Sequence, residues 1–524
     1  MIARKARWLA IAFAVLGVAA PGASAAGKDA ANAAEELIAG LDLDEARRTL
    51  AEADAADPAV LLARARLAVY ELDCDGAVAI LSRRELAALP GGESLADIAR
   101  GCQRATAALA VDRDEARAIE VRWQDEHDRP LGPLLFETVA QARETLSRDL
   151  GVDWPKPTRI VVVRDLLSLS AMTGLPYESA QTTGTVAVAK WGRVTLLSPR
   201  ASHHGYDWRD TLAHELTHLA LTRASADRAP LWLQEGVAKR EQILWRPPGP
   251  FDDRPSNESV VQRGFEMKLG VPLDRLGPSI AMLPSADMAT VAFAEVSSFV
   301  QYFVQSEGPD ALPKLLGELK AGASTDAALT SVSGADLAAW DKRWRAYVDV
   351  QHRAPVPELF GLGGGGAPPG RLREVRERSR LAELLAGRDH PAQALVELDQ
   401  VGLAASPVAP EAYAALAGDP SLRWLRGRLL EETGRRQDGG WLVADPADVV
   451  ASFGPWWAMR GRWAALRGDA GLAAESFAAA VGVDPLWPEA ACGAIHLSDP
   501  PAPASDPALC AAARAYPTSP FEGE

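Results

Sequence analysis

At 524 residues the chain is too long for a single hydrophobic core, and a soft expectation of about 100–200 residues per domain gives about three domains. Its 55 basic and 70 acidic side chains leave a net charge of −15 at pH 7, a balance that repels phosphate backbones and anionic lipid and argues against a nucleic-acid partner. No apolar run reaches the roughly 18 residues a spanning helix needs, which argues against stable membrane insertion.

Residues 1–25 read as a secretory signal peptide. Arg4, Lys5 and Arg7 precede the apolar run Trp8–Ala20, and the small-residue triplet Ala23-Ser24-Ala25 follows as a cleavage site. The run is too short for a membrane anchor, and the absence of a nearby cysteine leaves a lipoprotein acylation route without a substrate. The expected mature product is extracytoplasmic, either periplasmic or secreted.

Residues 26–115 are rich in Ala, Leu, Arg and Glu at helical spacing. Breaks at Leu41-Asp42-Leu43-Asp44, Asp57-Pro58 and Asp73-Cys74-Asp75 predict short antiparallel helices. Asp44-Glu45-Ala46 and Asp75-Gly76-Ala77 lie 31 residues apart, which hints at a helical-hairpin repeat of the tetratricopeptide (TPR) kind.

Residues 116–352 mix strand and helix. Ala118–Arg122, Ile160–Val163 and Thr185–Leu197 carry β-branched or alternating runs and predict strands, the last a hairpin candidate turning near Trp191-Gly192. Leu131–Leu150 predicts a helix, and from 198 to 350 the signals are helical. Residues 353–371 hold the Gly- and Pro-rich run around Gly363–Gly366, which predicts a linker.

Residues 372–505 show the repeat more clearly, because Gly427-Arg428 and Gly434 recur as Gly461-Arg462 and Gly468, an offset of 34 residues. In the second copy Trp457, Ala473, Phe477, Ala480 and Pro485 fall at TPR spacing, and Gly387-Arg388-Asp389 marks another half-unit. Trp456, Trp457 and Trp463 fit either helix packing or a peptide or carbohydrate groove. Residues 506–524 are left as a tail. The four cysteines form two close pairs, Cys74 with Cys102 and Cys492 with Cys510, to be read as disulfides in an oxidising compartment or as buried small hydrophobes.

The chemistry concentrates in Asp210-Thr-Leu-Ala-His-Glu-Leu-Thr-His218. On a helix, His214 and His218 project from one face about a turn apart, so two imidazoles can grip one metal ion, with Glu215 beside them. Leu212, Leu216 and Leu219 give the helix a stripe to bury. Seventeen positions after His218, Glu235 falls in a second helix that Pro230 can start. Two imidazoles and one carboxylate leave the fourth tetrahedral position open, as in a catalytic Zn2+ site. Metal ligands are therefore expected at His214, His218 and Glu235, with Glu215 as general base.

The HELTH helix followed by Trp232-Leu-Gln-Glu-Gly-Val-Ala238 resembles the gluzincin zinc metallopeptidases, and most of all their compact bacterial peptidase-MA-like members, which often carry TPR repeats. The resemblance implies an α+β metallopeptidase domain between two all-α TPR-like regions, a mixed sheet above a helical subdomain, and a cleft between them. It also implies that the 185–197 edge holds an extended peptide by β-augmentation. The Gly-x-Met-Glu-Asn segment of gluzincin aminopeptidases is absent, so nothing points to recognition of a free amino terminus.

Two departures stand out. Relatives usually place a tyrosine on a later helix as oxyanion donor, where this chain has Phe293; Tyr302 lies out of phase and is expected to face away. His203, His204 and Tyr206 precede the zinc helix and either supply a donor or form a solvated loop. Lys239 stands where a thermolysin-type carboxylate would orient a histidine. Two functions follow: an exported zinc peptidase acting on a peptide or protein substrate, or a pseudopeptidase that serves as a TPR scaffold for a protein partner.

Overall fold

The computed structural model describes residues 21–524 except 108, 153, 155, 203–204, 249–251, 253–254, 354–355, 357–368, 406–419, 439–452, 494–506 and 516–524. The signal-peptide run 1–20, most of the linker and the end of the tail therefore lie outside the described residues.

The chain opens with helices α1 (Pro21–Ala39), α2 (Leu43–Glu52), α3 (Pro58–Tyr70), α4 (Cys74–Leu81), α5 (Arg84–Ala87) and α6 (Gly92–Thr106). The breaks seen in the sequence are their caps. Asp57 accepts the Ala59 amide at 2.8 Å with Pro58 in the first turn, and Asp73 accepts the Gly76 amide at 3.0 Å. Cys74 and Cys102 form a disulfide between α4 and α6.

Next come β1 (Ala110–Asp114), β2 (Ile119–Trp123), α7 (Gly132–Leu150), β3 (Thr158–Val163), α8 (Leu166–Thr173), α9 (Tyr177–Thr183), β4 (Ala187–Lys190) and β5 (Arg193–Leu197). They build a five-stranded sheet in the order β1-β2-β3-β5-β4, parallel at its centre and antiparallel at both edges. Strand β1 corrects the expectation that residues 110–114 belong to the helical region. Ala-Val-Asp-Arg-Asp holds one strong β-former, and its extension depends on pairing all five residues with β2. Side chains reinforce that pairing: Arg113 meets Glu120 at 3.0 Å, and the Trp123 indole donates to Asp112 at 2.8 Å.

Both faces of the sheet are covered, which is why β3 reads as an unbroken apolar run. Ile160 and Val162 pack with α7 residues such as Leu135 and Val139, whereas Val161 and Val163 turn to a second core holding Leu169, Met172, Cys74 and Cys102. The N-terminal helices are thus part of the sheet's outer layer.

Helices α10 (Trp208–Ser225), α11 (Leu231–Glu241), α12 (Asn257–Glu266), α13 (Ala286–Glu307), α14 (Ala311–Lys320), α15 (Thr325–Ser333) and α16 (Leu337–Asp349) complete the middle region. The remainder is α17 (Pro369–Ala386), α18 (Pro391–Ala405), α19 (Pro420–Glu432), α20 (Gly454–Leu466), α21 (Ala470–Val483), α22 (Pro488–Gly493) and α23 (Pro507–Ala515). Helices α20 and α21 form a hairpin whose turn passes through Gly468, with the Phe477 ring against Gly461. Trp456, Trp457 and Trp463 are buried in its packing, so they line no groove. Helix α23 occupies part of what the sequence leaves as a tail, because the Cys492–Cys510 disulfide ties it to α22. The C-terminal helices rest on the loop ahead of α10, where the Tyr206 amide donates to the Val483 carbonyl at 3.4 Å. No described helix is long and apolar enough to cross a membrane.

Candidate metal centre

Helix α10 is anchored on its buried side by Leu212, Leu216 and Leu219. Burying side chains of this size is worth about 1.5–3 kcal/mol each, enough to fix the opposite face in rotation. Its first turn carries Asp210, whose carboxylate accepts Arg246 Nη2 at 2.6 Å and the Trp245 indole at 3.0 Å, so the segment after α11 is clamped to the start of α10. At the other end Ala226 and Asp227 adopt left-handed backbone conformations and reverse the chain into α11. Helix α11 lies so close to α13 that a Cβ at Gly236 would collide with the Val296 carbonyl. Glycine directly after Glu235 is thus what lets the second helix lean in.

These constraints bring the expected residues together. His214 Nε2 and His218 Nε2 are 3.3 Å apart, and Glu235 Oε2 lies 3.4 Å from the first and 3.6 Å from the second. An ion bound at about 2.0–2.1 Å to tetrahedral ligands spaces them about 3.3–3.4 Å apart, so the three donors already form one face of such a tetrahedron. The donor set fits a divalent ion, and a buried cluster of lone pairs needs a positive charge or protons to be stable. Glu215 also offers an oxygen within 4.8 Å of both imidazoles.

Environment separates the two carboxylates. Burial pushes Glu215 up to about 7, with Glu235 adding to the rise, while His218 and the Ala189 amide pull it back. Burial would raise Glu235 too, but His218, His214 and Lys239 outweigh it and hold the group below its ordinary range. Glu235 is the stably charged member, suited to a cation; Glu215 is the member poised to exchange a proton near neutrality.

The centre opens into a cleft of about 640 Å³ walled by the β4 strand, by α11 and by Phe293 of α13. Trp191 and Gly192 both have positive φ, 56° and 68°, and make the two-residue turn expected between β4 and β5. The Leu197 amide donates to the Val186 carbonyl, so by the two-residue alternation Val188 and Lys190 face β5 while Ala187 and Ala189 direct their backbone groups outward. Indeed the Ala189 amide donates to Glu215 Oε2 at 2.5 Å. β4 is therefore an open edge running beside the metal centre.

Phe293 lines the cleft with its ring centroid 6.4 Å from that of His214. Tyr302 stacks on Tyr347 at 4.7 Å and is absent from the lining, as its phase implies. The Tyr206 hydroxyl donates to the Leu197 carbonyl, so its proton is directed at backbone rather than at the cleft. His203 and His204 lie outside the described residues. Trp208 and Trp232 are core residues.

Several lining residues carry no signal in the sequence. Leu41 comes from the turn between α1 and α2 and Tyr70 from the end of α3, and Tyr70 packs edge-on against Trp191 at 5.9 Å. Nothing local in the sequence links them to a hairpin more than a hundred positions away. Only the tightness of Gly192 records the contact, since a Cβ there would come within 2.9 Å of the Tyr70 ring.

Residues 138–350 match the family model of the Peptidase MA superfamily. The match contains His214, Glu215, His218 and Glu235 and runs from α7 to the end of α16. It supports a peptidase-type function for the middle of the chain. A search of curated proteins finds no match.

Proposed function

We propose that the chain is an exported zinc-dependent peptidase in which His214, His218 and Glu235 hold the metal and Glu215 is the general base. The observation that carries this reading is the triangle of donors at 3.3, 3.4 and 3.6 Å opening onto a cleft beside a proton-poised carboxylate. Zinc, when bound, supplies Lewis-acid activation of water and of the scissile carbonyl. The remaining work falls to the chain. The β4 edge pairs with an extended peptide through the outward backbone groups of Ala187 and the Ala189 carbonyl, the Ala189 amide holding Glu215, which lays the scissile bond across the centre. Glu215 accepts the proton of the attacking water and passes it to the departing amine nitrogen. Its burial at 8% exposure keeps that proton away from bulk solvent.

Two disulfides support export, since such bonds persist in oxidising compartments. The helical hairpins at the C-terminal end support a TPR-like surface for a protein partner. A second reading, a zinc-holding scaffold without turnover, draws on Phe293, which has no hydroxyl to offer an oxyanion.

Metal analysis of the mature protein, combined with cleavage of an unbiased peptide library by wild type and Glu215→Gln, separates the readings. Stoichiometric zinc in both proteins, with cleavage by the wild type alone, is the expected result. Zinc without cleavage by either favours the scaffold, and a metal-free protein overturns both.

A further inference from the structure

Hydrolysis at this centre is accelerated by a donor for the negative charge that develops on the carbonyl oxygen, and removing such a donor costs about 10²–10³ in kcat. The cleft lining offers two cationic candidates for it. Its lysines are Lys190 and Lys239. Lys190 sits at the hairpin tip with its ammonium 5.1 Å from the Trp191 ring centroid. Lys239 stands one helical turn after Glu235 on α11, so its stem leaves the helix on the metal-facing side.

The Lys239 ammonium lies over the Phe293 ring, 5.1 Å from its centroid, and that ring abuts His214. The quadrupole of Phe293 thereby seats a cation beside the centre. Gln242 accepts one Lys239 N–H at 3.2 Å. An ammonium has three N–H groups, so two more can be directed into the cleft. Phe293 thus removes a hydroxyl but supplies a platform, and the charge it supports is a stronger donor than a phenol because the hydrogen bond is charge-assisted.

We propose that Lys239 is a catalytic residue that donates to the oxyanion of the tetrahedral intermediate, with Phe293 as its seat. The assignment rests on the peptidase reading above. The competing role for Lys239 is a counter-charge that only steadies Glu235, and this predicts weaker metal binding rather than weaker oxyanion binding.

The test uses the full zinc-loaded chain and two dipeptide probes, N-phosphoryl-Leu-Trp, whose tetrahedral anionic oxygens resemble the intermediate, and a mercaptoacyl-Leu-Trp, which has no such oxygens. Lys239→Met is expected to weaken the phosphoryl probe by about 10- to 100-fold, the equivalent of one charge-assisted hydrogen bond, and to leave the thiol probe and zinc content unchanged. Lys239→Arg keeps most of the phosphoryl affinity. Lys239→Gln carries the same comparison should the methionine variant fail to fold. Equal phosphoryl affinity in wild type and variant, or parallel loss of both probes with zinc, overturns the assignment while leaving the peptidase reading intact. A wild-type chain that takes up no zinc overturns both.

Discussion

The two walls of the cleft are made of different material. On one side β4 presents small side chains and the outward backbone groups of Ala187 and Ala189, the Ala189 amide donating to Glu215; on the other, α11 and α13 present Glu235, Lys239 and Phe293. Glu215 meets the strand wall through a single backbone amide, and burial carries it up to about 7. Glu235 meets the helical wall among two imidazoles and an ammonium, and is held down. Two identical functional groups a few ångströms apart thus acquire opposite proton affinities: burial dominates at Glu215, where the strand amide only partly offsets it, whereas His218, His214 and Lys239 outweigh burial at Glu235. The strand side suits recognition and proton transfer, and the helical side suits holding and steadying charge.

Substituting the two carboxylates is the sharpest way to break that comparison. Glu235→Gln is expected to empty the metal site, a larger loss than the roughly 10–100-fold that groups one layer beyond the ligands contribute. Glu215→Gln is expected to keep the metal and lower kcat by about 10²–10⁴-fold. Metal analysis and steady-state kinetics on the pair check this, and equal metal retention would erase the distinction between the walls.

Ala189→Pro sharpens the strand side. It removes the outward amide while sparing the ladder to β5, a placement an edge strand tolerates. Loss of the backbone hydrogen bond to Glu215 predicts a fall of about 3- to 10-fold in kcat/KM with metal content unchanged. An unaffected kcat/KM would show that the strand wall does not position Glu215.

Tyr70→Ala tests how far the N-terminal helices belong to the same wall. Losing the edge-on contact with Trp191 at 5.9 Å predicts a rise in KM of about 2- to 10-fold with kcat near wild type. A kcat effect instead would mean that the hairpin tip governs the chemistry.

The smallest effect concerns the support behind the strand wall. Burial pushes Asp484 up to about 7 and Asp128 up to about 6, and the two carboxyl groups repel across the seam between the C-terminal helices and the sheet domain. Both folded pKa values exceed the ordinary 3.8, so between about pH 4 and 7 the folded state holds more protons than the unfolded. The contribution is complete below about pH 4 and is lost as pH rises through 6 to 7. Thermal melts should show Tm falling by on the order of a few °C across that window, and Asp484→Asn should flatten the slope.

Much of the centre was legible because it is local. The spacing of His214 and His218 is a property of one helical turn, and Pro230 announces the second helix that carries Glu235, whereas the close approach allowed by Gly236 shows only in the structure. The Trp191-Gly192 turn, helix 132–150, the helix caps at Asp57 and Asp73 and both disulfide pairings likewise follow from neighbours in the chain. Strand β1 did not, because its extension depends on β2 rather than on its own composition. Helix α23 was missed because a disulfide, not periodicity, ties residues 507–515 to α22.

The sequence by itself determined which residues can bind a metal, since ligand type and helical period are written in consecutive positions. Only the tertiary structure decided what surrounds them: that Ala189 reaches Glu215, that Tyr70 backs the hairpin, and that Lys239 lies over Phe293. Those contacts join segments from α3 to α13, and their energies depend on burial and on distance in space. Chain order records neither, so the opposite proton affinities of the two carboxylates, whose roles the motif and its spacing predict, become visible only once the walls have closed around them.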